Sequence, residues 1–191
     1  MITLEQLKQY CIDSNKKVDS ELLEKTICTQ EDASRTRLNL PSHYYRLFYH
    51  LAKVLKPKLV LELGTYTGIS SACFAVGNPE GKVITVDHKE RVMPSCLETN
   101  IEHLVQDSLV LVDVKEIDIL FLDTLHDGIM VAKEYEIYKN RMSKNSLIFL
   151  DDIFLTEGMR NFWKGFNPEG QKAELPSHGQ VGFGVIINGM S

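Results

Sequence analysis

Five short, branched, nearly unbroken apolar runs dominate the middle of the chain: LVLEL (59–63), VITVD (83–87), HLVQ (103–106), IDILFLD (117–123) and SLIFLD (146–151). Such runs, without polar alternation, suit strands covered on both faces, as in a parallel sheet. Between them lie stretches of helical character, SSACFAVG, MPSCLETN and GIMVAKEYEIYKNRM. The last places Ile129, Ala132, Tyr135, Tyr138 and Met142 at helical spacing. Alternating β and α segments predict an α/β fold, a doubly wound and mostly parallel sheet with helices on both faces. After a helix at about 157–164, KAELPSH and VGFGVII read as two closing strands with no helix between them. A seven-stranded sheet with its last strand antiparallel is therefore expected.

Upstream of residue 57 the pattern is helical. Thr3-Leu4-Glu5-Gln6 reads as a capping box opening a short helix to about Ile12. A second segment, Ser20 to about Cys28, has Leu22, Leu23, Thr26 and Ile27 on one side. QEDASRTRLNL carries no period and reads as a mobile connection. Ser42 is a good N-cap for HYYRLFYHLAKVLK, which sets Tyr45, Phe48, Leu51, Ala52 and Leu55 on one stripe. Pro57 ends that helix. The chain thus divides into a helical segment, 1–56, serving as substrate cover or oligomer contact, and a sheet domain, 57–191.

With 191 residues, 43% apolar and 25% charged, the chain has the composition of an ordinary soluble globular protein. Its net charge of −5, with no basic run, disfavours a nucleic-acid partner. Nothing approaches a membrane-spanning stretch, and MITLEQLKQY is too polar for a signal-peptide core. Cys11, Cys28, Cys73 and Cys96 form neither a CxxC pair nor a zinc spacing, and read as free thiols in a reducing cytoplasm.

In open α/β sheets, ligands bind beyond the carboxyl ends of the strands where the strand order reverses. ELGTYTG, residues 62–68, follows the first strand. Gly64 and Gly68 let the turn bring peptide N–H groups close to a ligand, and the helix behind offers its N-terminus to an anion. A nicotinamide-cofactor fingerprint would read GxGxxG; here Tyr66 stands at the middle glycine, so a diphosphate would meet a bulky side chain. Glu62 instead awaits positive charge. The next strand ends in Asp87, beside His88, where an acid accepts both hydroxyls of an unphosphorylated ribose. Gln106-Asp107-Ser108 follows the third strand, placed to read an adenine edge. A nucleoside, an amino-acid-like anion and a sulfonium together describe S-adenosylmethionine.

LVLELGTYTGISS, VITVDHKE, IDILFLDTLHD and LIFLDDI together resemble the class I S-adenosylmethionine-dependent methyltransferases. Within them the chain looks most like the catechol, caffeoyl-CoA and macrolide-sugar O-methyltransferases. The likeness covers roughly residues 57–187, and ELGxYxGxS is its most specific piece. It implies a Rossmann-like domain with cofactor contacts at Glu62, Gly64, Thr65, Tyr66, Gly68 and Ser70. It also implies Asp87 on the ribose and Asp107 or Ser108 near adenine, with His88 and Asp123 as further cofactor contacts. The N-terminal 50 residues carry no such match.

Asp123 ends one strand and Asp151-Asp152 another. If the two are neighbours, as a right-handed crossover would make them, three acids meet at one rim. They repel one another unless a cation sits among them, and hard oxygen donors suit Mg²⁺, with Mn²⁺ close behind. In the resembling families an acid at the position of Asp123 and a pair at Asp151-Asp152 hold the metal; here the second of the pair is Asp where the catechol enzymes have Asn. His126, three residues past Asp123, is the candidate general base, as a Lys or His at this offset is in those families. Lys133 is the fallback. Asp127 either orients the imidazole or caps the helix beginning near Gly128.

Tyr44, Tyr45, Phe48 and Tyr49 either line an aromatic pocket or pack in the core, and Phe162 and Trp163 are candidates for a wall of the acceptor site. His178 is given no role. The resulting expectation is a methyl transfer from S-adenosylmethionine to a hydroxyl of a small molecule, assisted by a divalent metal, in a cytoplasmic enzyme that forms a homodimer or acts alone. A metal-independent methyltransferase, or a cofactor-binding protein that has lost catalysis, is the alternative.

Overall fold

Every one of the five apolar runs forms a strand, and the register between them builds one sheet. The computed structural model describes residues 2–14, 44–90, 100–176 and 181–189. The strands are β1 (Leu59–Leu63), β2 (Lys82–Asp87), β3 (Ile101–Val105), β4 (Ile117–Leu122) and β5 (Met142–Asp151), closed by β6 (Gln171–Leu175) and β7 (Phe183–Ile187). Their order is β3-β2-β1-β4-β5-β7-β6. Strands β1 to β5 are mutually parallel, and β7 runs antiparallel to both β5 and β6. The expected seven-stranded, mostly parallel sheet is present, with its last strand reversed.

The helices are α1 (Leu4–Ser14), α2 (Tyr44–Leu55), α3 (Ile69–Gly77), α4 (Gly128–Tyr138, continued by a 3-10 turn at Lys139–Arg141) and α5 (Glu157–Gly165). Alternate strand residues feed two cores. Val60, Ile119, Phe121, Leu147, Phe149 and Val185 face the side covered by α1, α2 and α3; Leu61, Leu63, Leu120, Leu122, Ile148 and Leu150 face α4 and α5. Both faces are dry, so the strands read as unbroken apolar runs. Phe48 of α2 is fully buried among Phe74, Phe121, Phe149 and Phe183, with ring centroids 4.3–5.9 Å away. Burying one such ring contributes roughly 1.5–3 kcal/mol.

At the start of α1 the capping box is formed: the Thr3 N–H donates to Gln6 Oε1 at 2.9 Å and the Gln6 N–H to Thr3 Oγ1 at 3.2 Å. Along α2 the apolar stripe is buried as far as Ala52, whereas Leu55 is exposed. In α4 the buried face is Val131, Glu134, Tyr135 and Tyr138; Ile129, expected on that face, is exposed. Cys11 and Cys73 are buried and form no disulfide with each other. The helix expected over Ser20–Cys28, the connection QEDASRTRLNL, Ser42, most of MPSCLETN, Cys96 and His178 lie outside the described residues.

Candidate functional site

Strand order reverses between β1 and β4, and their carboxyl ends open a crevice of about 730 Å³. Gly64 follows β1 at φ +102°; a Cβ there would sit 1.9 Å from the carbonyl oxygen of Asp123. Glycine is therefore required by the close approach of the two strand tips as well as by the turn. Gly68, at φ 72°, is buried and caps α3. It supports the turn from behind and does not line the crevice.

Tyr66 takes a left-handed backbone (φ 45°) and leaves more than half its side chain exposed at the crevice mouth. Its N–H donates to Asp87 Oδ2 at 3.1 Å, while Asp87 Oδ1 accepts from the Lys89 N–H at 3.0 Å and lies 3.3 Å from His88 Nδ1. Thr65, Ser70, Asp87, His88, Asp107 and Ser108 all line the crevice.

Glu62 departs from its expected place. It is fully buried beneath the loop, outside the crevice, where the Ser70 and Ser71 hydroxyls each donate to one of its oxygens and Thr85 donates to Oε2 at 2.6 Å. Burial pushes its carboxyl up to about 7, against the pull of the three hydroxyls. Glu62 anchors the loop rather than facing a ligand's positive charge.

Because Leu122 pairs with Leu150, Asp123 and Asp151 emerge side by side. The Tyr44 hydroxyl reaches both, 3.2 Å from Asp151 Oδ2 and 3.4 Å from Asp123 Oδ2. His126 Nε2 lies 3.3 Å from Asp152 Oδ2 and 4.0 Å from Asp123 Oδ1. Asp152 holds a left-handed backbone (φ 52°), the kind of strain that concentrates at functional sites. Burial, then the charge of Asp151, drives the Asp123 carboxyl well above its ordinary range. Burial and Asp152 push Asp151 to about 7; burial raises Asp152, with His126 opposing.

Three crowded carboxylates supply the hard oxygen donors a divalent cation prefers, so the donor chemistry fits Mg²⁺ or Mn²⁺. Their present geometry is another matter. Among the described residues no group of three or more His, Cys, Asp or Glu side chains is gathered to hold a metal. Tyr44 and His126 hold the carboxylate oxygens instead.

The loop carrying His126 is fixed from both ends. Asp127 caps α4 by accepting the Ile129 N–H at 2.7 Å, and the Thr156 hydroxyl donates to the His126 carbonyl at 2.9 Å. Of the two roles open to Asp127, capping is the one formed. Lys133 faces an outer groove between α4 and α5, away from the crevice. Phe162 lines that groove too and Trp163 is buried in the core, so neither lines the crevice. Tyr44 and Tyr45 do line the crevice, while Phe48 belongs to the core.

Sequence reasoning passed over Glu134, which is fully buried and accepts from Ser108 at 2.6 Å and Thr124 at 3.0 Å. A carboxylate mid-helix reads as solvent-facing. The available signal was its place one residue before the buried Tyr135.

Residues 61–153 match the family model of a methyltransferase domain. That span runs from β1 to just past Asp152, so it holds both the glycine turn and the acid rim. An O-methyltransferase from Bacillus cereus, solved with S-adenosylhomocysteine, superposes with a TM-score of 0.62 at 19% identity, covering 95% of this chain and 96% of that one. The O-methyltransferase TomG from Streptomyces achromogenes, involved in tomaymycin synthesis and solved with S-adenosylmethionine, gives 0.61 at 16%, covering 98% and 99%. A Staphylococcus aureus protein assigned as a caffeoyl-CoA O-methyltransferase gives 0.68 at 19%, covering 95% and 99%. At such identities the likeness is one of fold. No curated protein matches the sequence. The Rossmann-like sheet expected from the sequence is the fold these structures share, and residues 61–153 carry the methyltransferase-domain match.

Proposed function

Taking a methyltransferase domain of class I fold as the premise, we propose that the chain transfers the methyl group of S-adenosylmethionine to a hydroxyl oxygen of a small molecule, catechol-like or sugar-like. The observation that carries this reading is a single crevice lined on one side by the glycine turn, Asp87 and Ser108. On the other side it is lined by Asp123, His126, Asp151 and Asp152. Gly64, Thr65, Tyr66 and Ser70 would hold the amino-acid end of the cofactor, Asp87 and His88 the ribose, and Asp107 with Ser108 the adenine. When bound, S-adenosylmethionine supplies a methyl carbon already activated by its sulfonium.

What remains for the protein is alignment and removal of a proton. Holding an acceptor in near-attack geometry contributes roughly 7–11 kcal/mol of barrier lowering. His126 takes the hydroxyl proton at Nε2, and Asp152, 3.3 Å away, steadies the imidazolium that results. Tyr44 and Tyr45 close the crevice beside the acids, and their bulk keeps water from the acceptor. Asp123, Asp151 and Asp152 would hold Mg²⁺ or Mn²⁺, whose chemistry when bound is to lower the acceptor's pKa.

One observation favours a metal-independent transfer as the second reading: Tyr44 and His126 already engage oxygens of all three carboxylates. Turnover on a panel of catechols and glycosides, with and without EDTA, separates the two. Loss in chelator with recovery on Mg²⁺ supports the metal. Full turnover in EDTA, or in Asp123→Asn, sinks it. Binding of S-adenosylhomocysteine without turnover on any acceptor leaves a cofactor-binding protein. The same reading has a cytoplasmic location, no nucleic-acid or membrane partner, and residues 1–56 covering the acceptor or joining a homodimer. No helix among the described residues is long and apolar enough to cross a membrane.

A further inference from the structure

Glu134 is a charged side chain with no exposed surface, projecting from α4 beneath the crevice wall. Burying a carboxylate is costly unless donors meet it, and here two do: the Ser108 hydroxyl at Oε1, 2.6 Å, and the Thr124 hydroxyl at Oε2, 3.0 Å. Burial raises the Glu134 carboxyl, while the two hydroxyls pull it back down. Ser108 and Thr124 both line the crevice, the first after β3 and the second after β4. A hydroxyl has one proton to give. With both protons committed to Glu134, the two oxygens present only lone pairs to a ligand.

We propose that Glu134 is a specificity-determining positioning residue: it fixes Ser108 and Thr124 as acceptors, so this part of the crevice selects a ligand amino group over a carbonyl. The inference rests on the reading that S-adenosylmethionine occupies the crevice, with its adenine on the Ser108 side. Adenine offers an exocyclic amine; hypoxanthine has an oxygen at the same position. A carbonyl set against a lone pair leaves both unpaired, and a site built around a hydrogen bond rejects the analogue that cannot form it.

The test compares S-adenosylhomocysteine with S-inosylhomocysteine by isothermal titration on the full chain. Wild type is expected to prefer the adenine compound by roughly tenfold or more, the factor that about 1.4 kcal/mol represents. In Glu134→Leu the Ser108 hydroxyl is free to turn and donate, and the preference is expected to fall to within about threefold. Ser108→Ala reports the same loss without disturbing the buried carboxylate's helix, so a poorly folded Glu134→Leu does not rescue the idea. Unchanged preference in both variants overturns the proposal, as does a wild type that binds the two compounds equally. A wild type that binds neither overturns the cofactor reading itself, and this inference with it.

Discussion

The Tyr44 hydroxyl lies 3.2 Å from Oδ2 of Asp151, although 107 residues separate the two in the chain. Helix α2 brings it there, and its ring stacks on Phe183 with centroids 4.9 Å apart and planes 13° from parallel. Phenylalanine at this position keeps the stacking and removes the donor shared by Asp151 and Asp123. Tyr44→Phe is expected to lower kcat/KM about tenfold, the scale of a hydrogen bond to a charged group, while the Kd for S-adenosylhomocysteine stays put. Steady-state kinetics beside calorimetry checks it; a parallel loss of cofactor affinity would place Tyr44 among the cofactor contacts instead.

His126 tests the proton-transfer step. Replacing it with Gln preserves a polar side chain near Asp152 but removes the base. A kcat loss of roughly 10²–10⁴ is expected. The residual rate should climb with pH, because the acceptor must then ionise unaided. Cofactor binding should hold. A variant within a factor of three of wild type at neutral pH would make the imidazole a bystander.

Much of this arrangement was legible in the chain, for identifiable reasons. Strands buried on both faces leave unbroken apolar runs, so β1 through β5 announce themselves, and an acid at the end of such a run has few places to point. Asp87, Asp123 and Asp151 were readable on that ground. Glu62 was read to the wrong side of its loop because alternation along LVLEL gives its face of the sheet but not its depth; only the pairing with β2 shows Thr85 opposite it. Glu134 was passed over for the converse reason. Local pattern assigns a helical carboxylate to solvent, and its donors, Ser108 and Thr124, lie 26 and 10 residues away. Tyr44 was ambiguous because it does two things: its ring belongs with the core aromatics and its hydroxyl with the acids.

Gly64→Ala probes the junction of β1 and β4. A methyl group would meet the Asp123 carbonyl at 1.9 Å and would hold φ +102°, which L-residues rarely adopt. Relief requires the two strand tips to part, displacing Asp123 from Asp151. The expected outcome is a loss of about 2–4 kcal/mol in denaturant unfolding, within the range of overpacking combined with backbone strain, together with failure to bind S-adenosylhomocysteine. A stable variant with normal affinity would show the tips to be independent.

Glu62 makes the pH dependence of stability testable. Its carboxyl sits at about 7 in the fold against 4.5 when exposed. A folded pKa above the unfolded one means the folded state holds the extra proton between those values. The stabilising contribution is then complete below about pH 4.5 and is lost as pH rises through 7. In that window the slope is about −1.4 kcal/mol per pH unit for one group, and it flattens above. Asp123 and Asp151, also raised by burial, push the same way, so removing Glu62 shallows the slope without abolishing it. Glutamine keeps the shape, accepts from one hydroxyl and donates to another, and never ionises. Urea unfolding of wild type and Glu62→Gln from pH 4.5 to 8 should show the variant gaining on wild type steadily up to neutrality and by a constant margin beyond. Parallel curves across the whole range would mean that the three hydroxyls hold Glu62 ionised throughout, and that its charge is part of how the loop is kept in place.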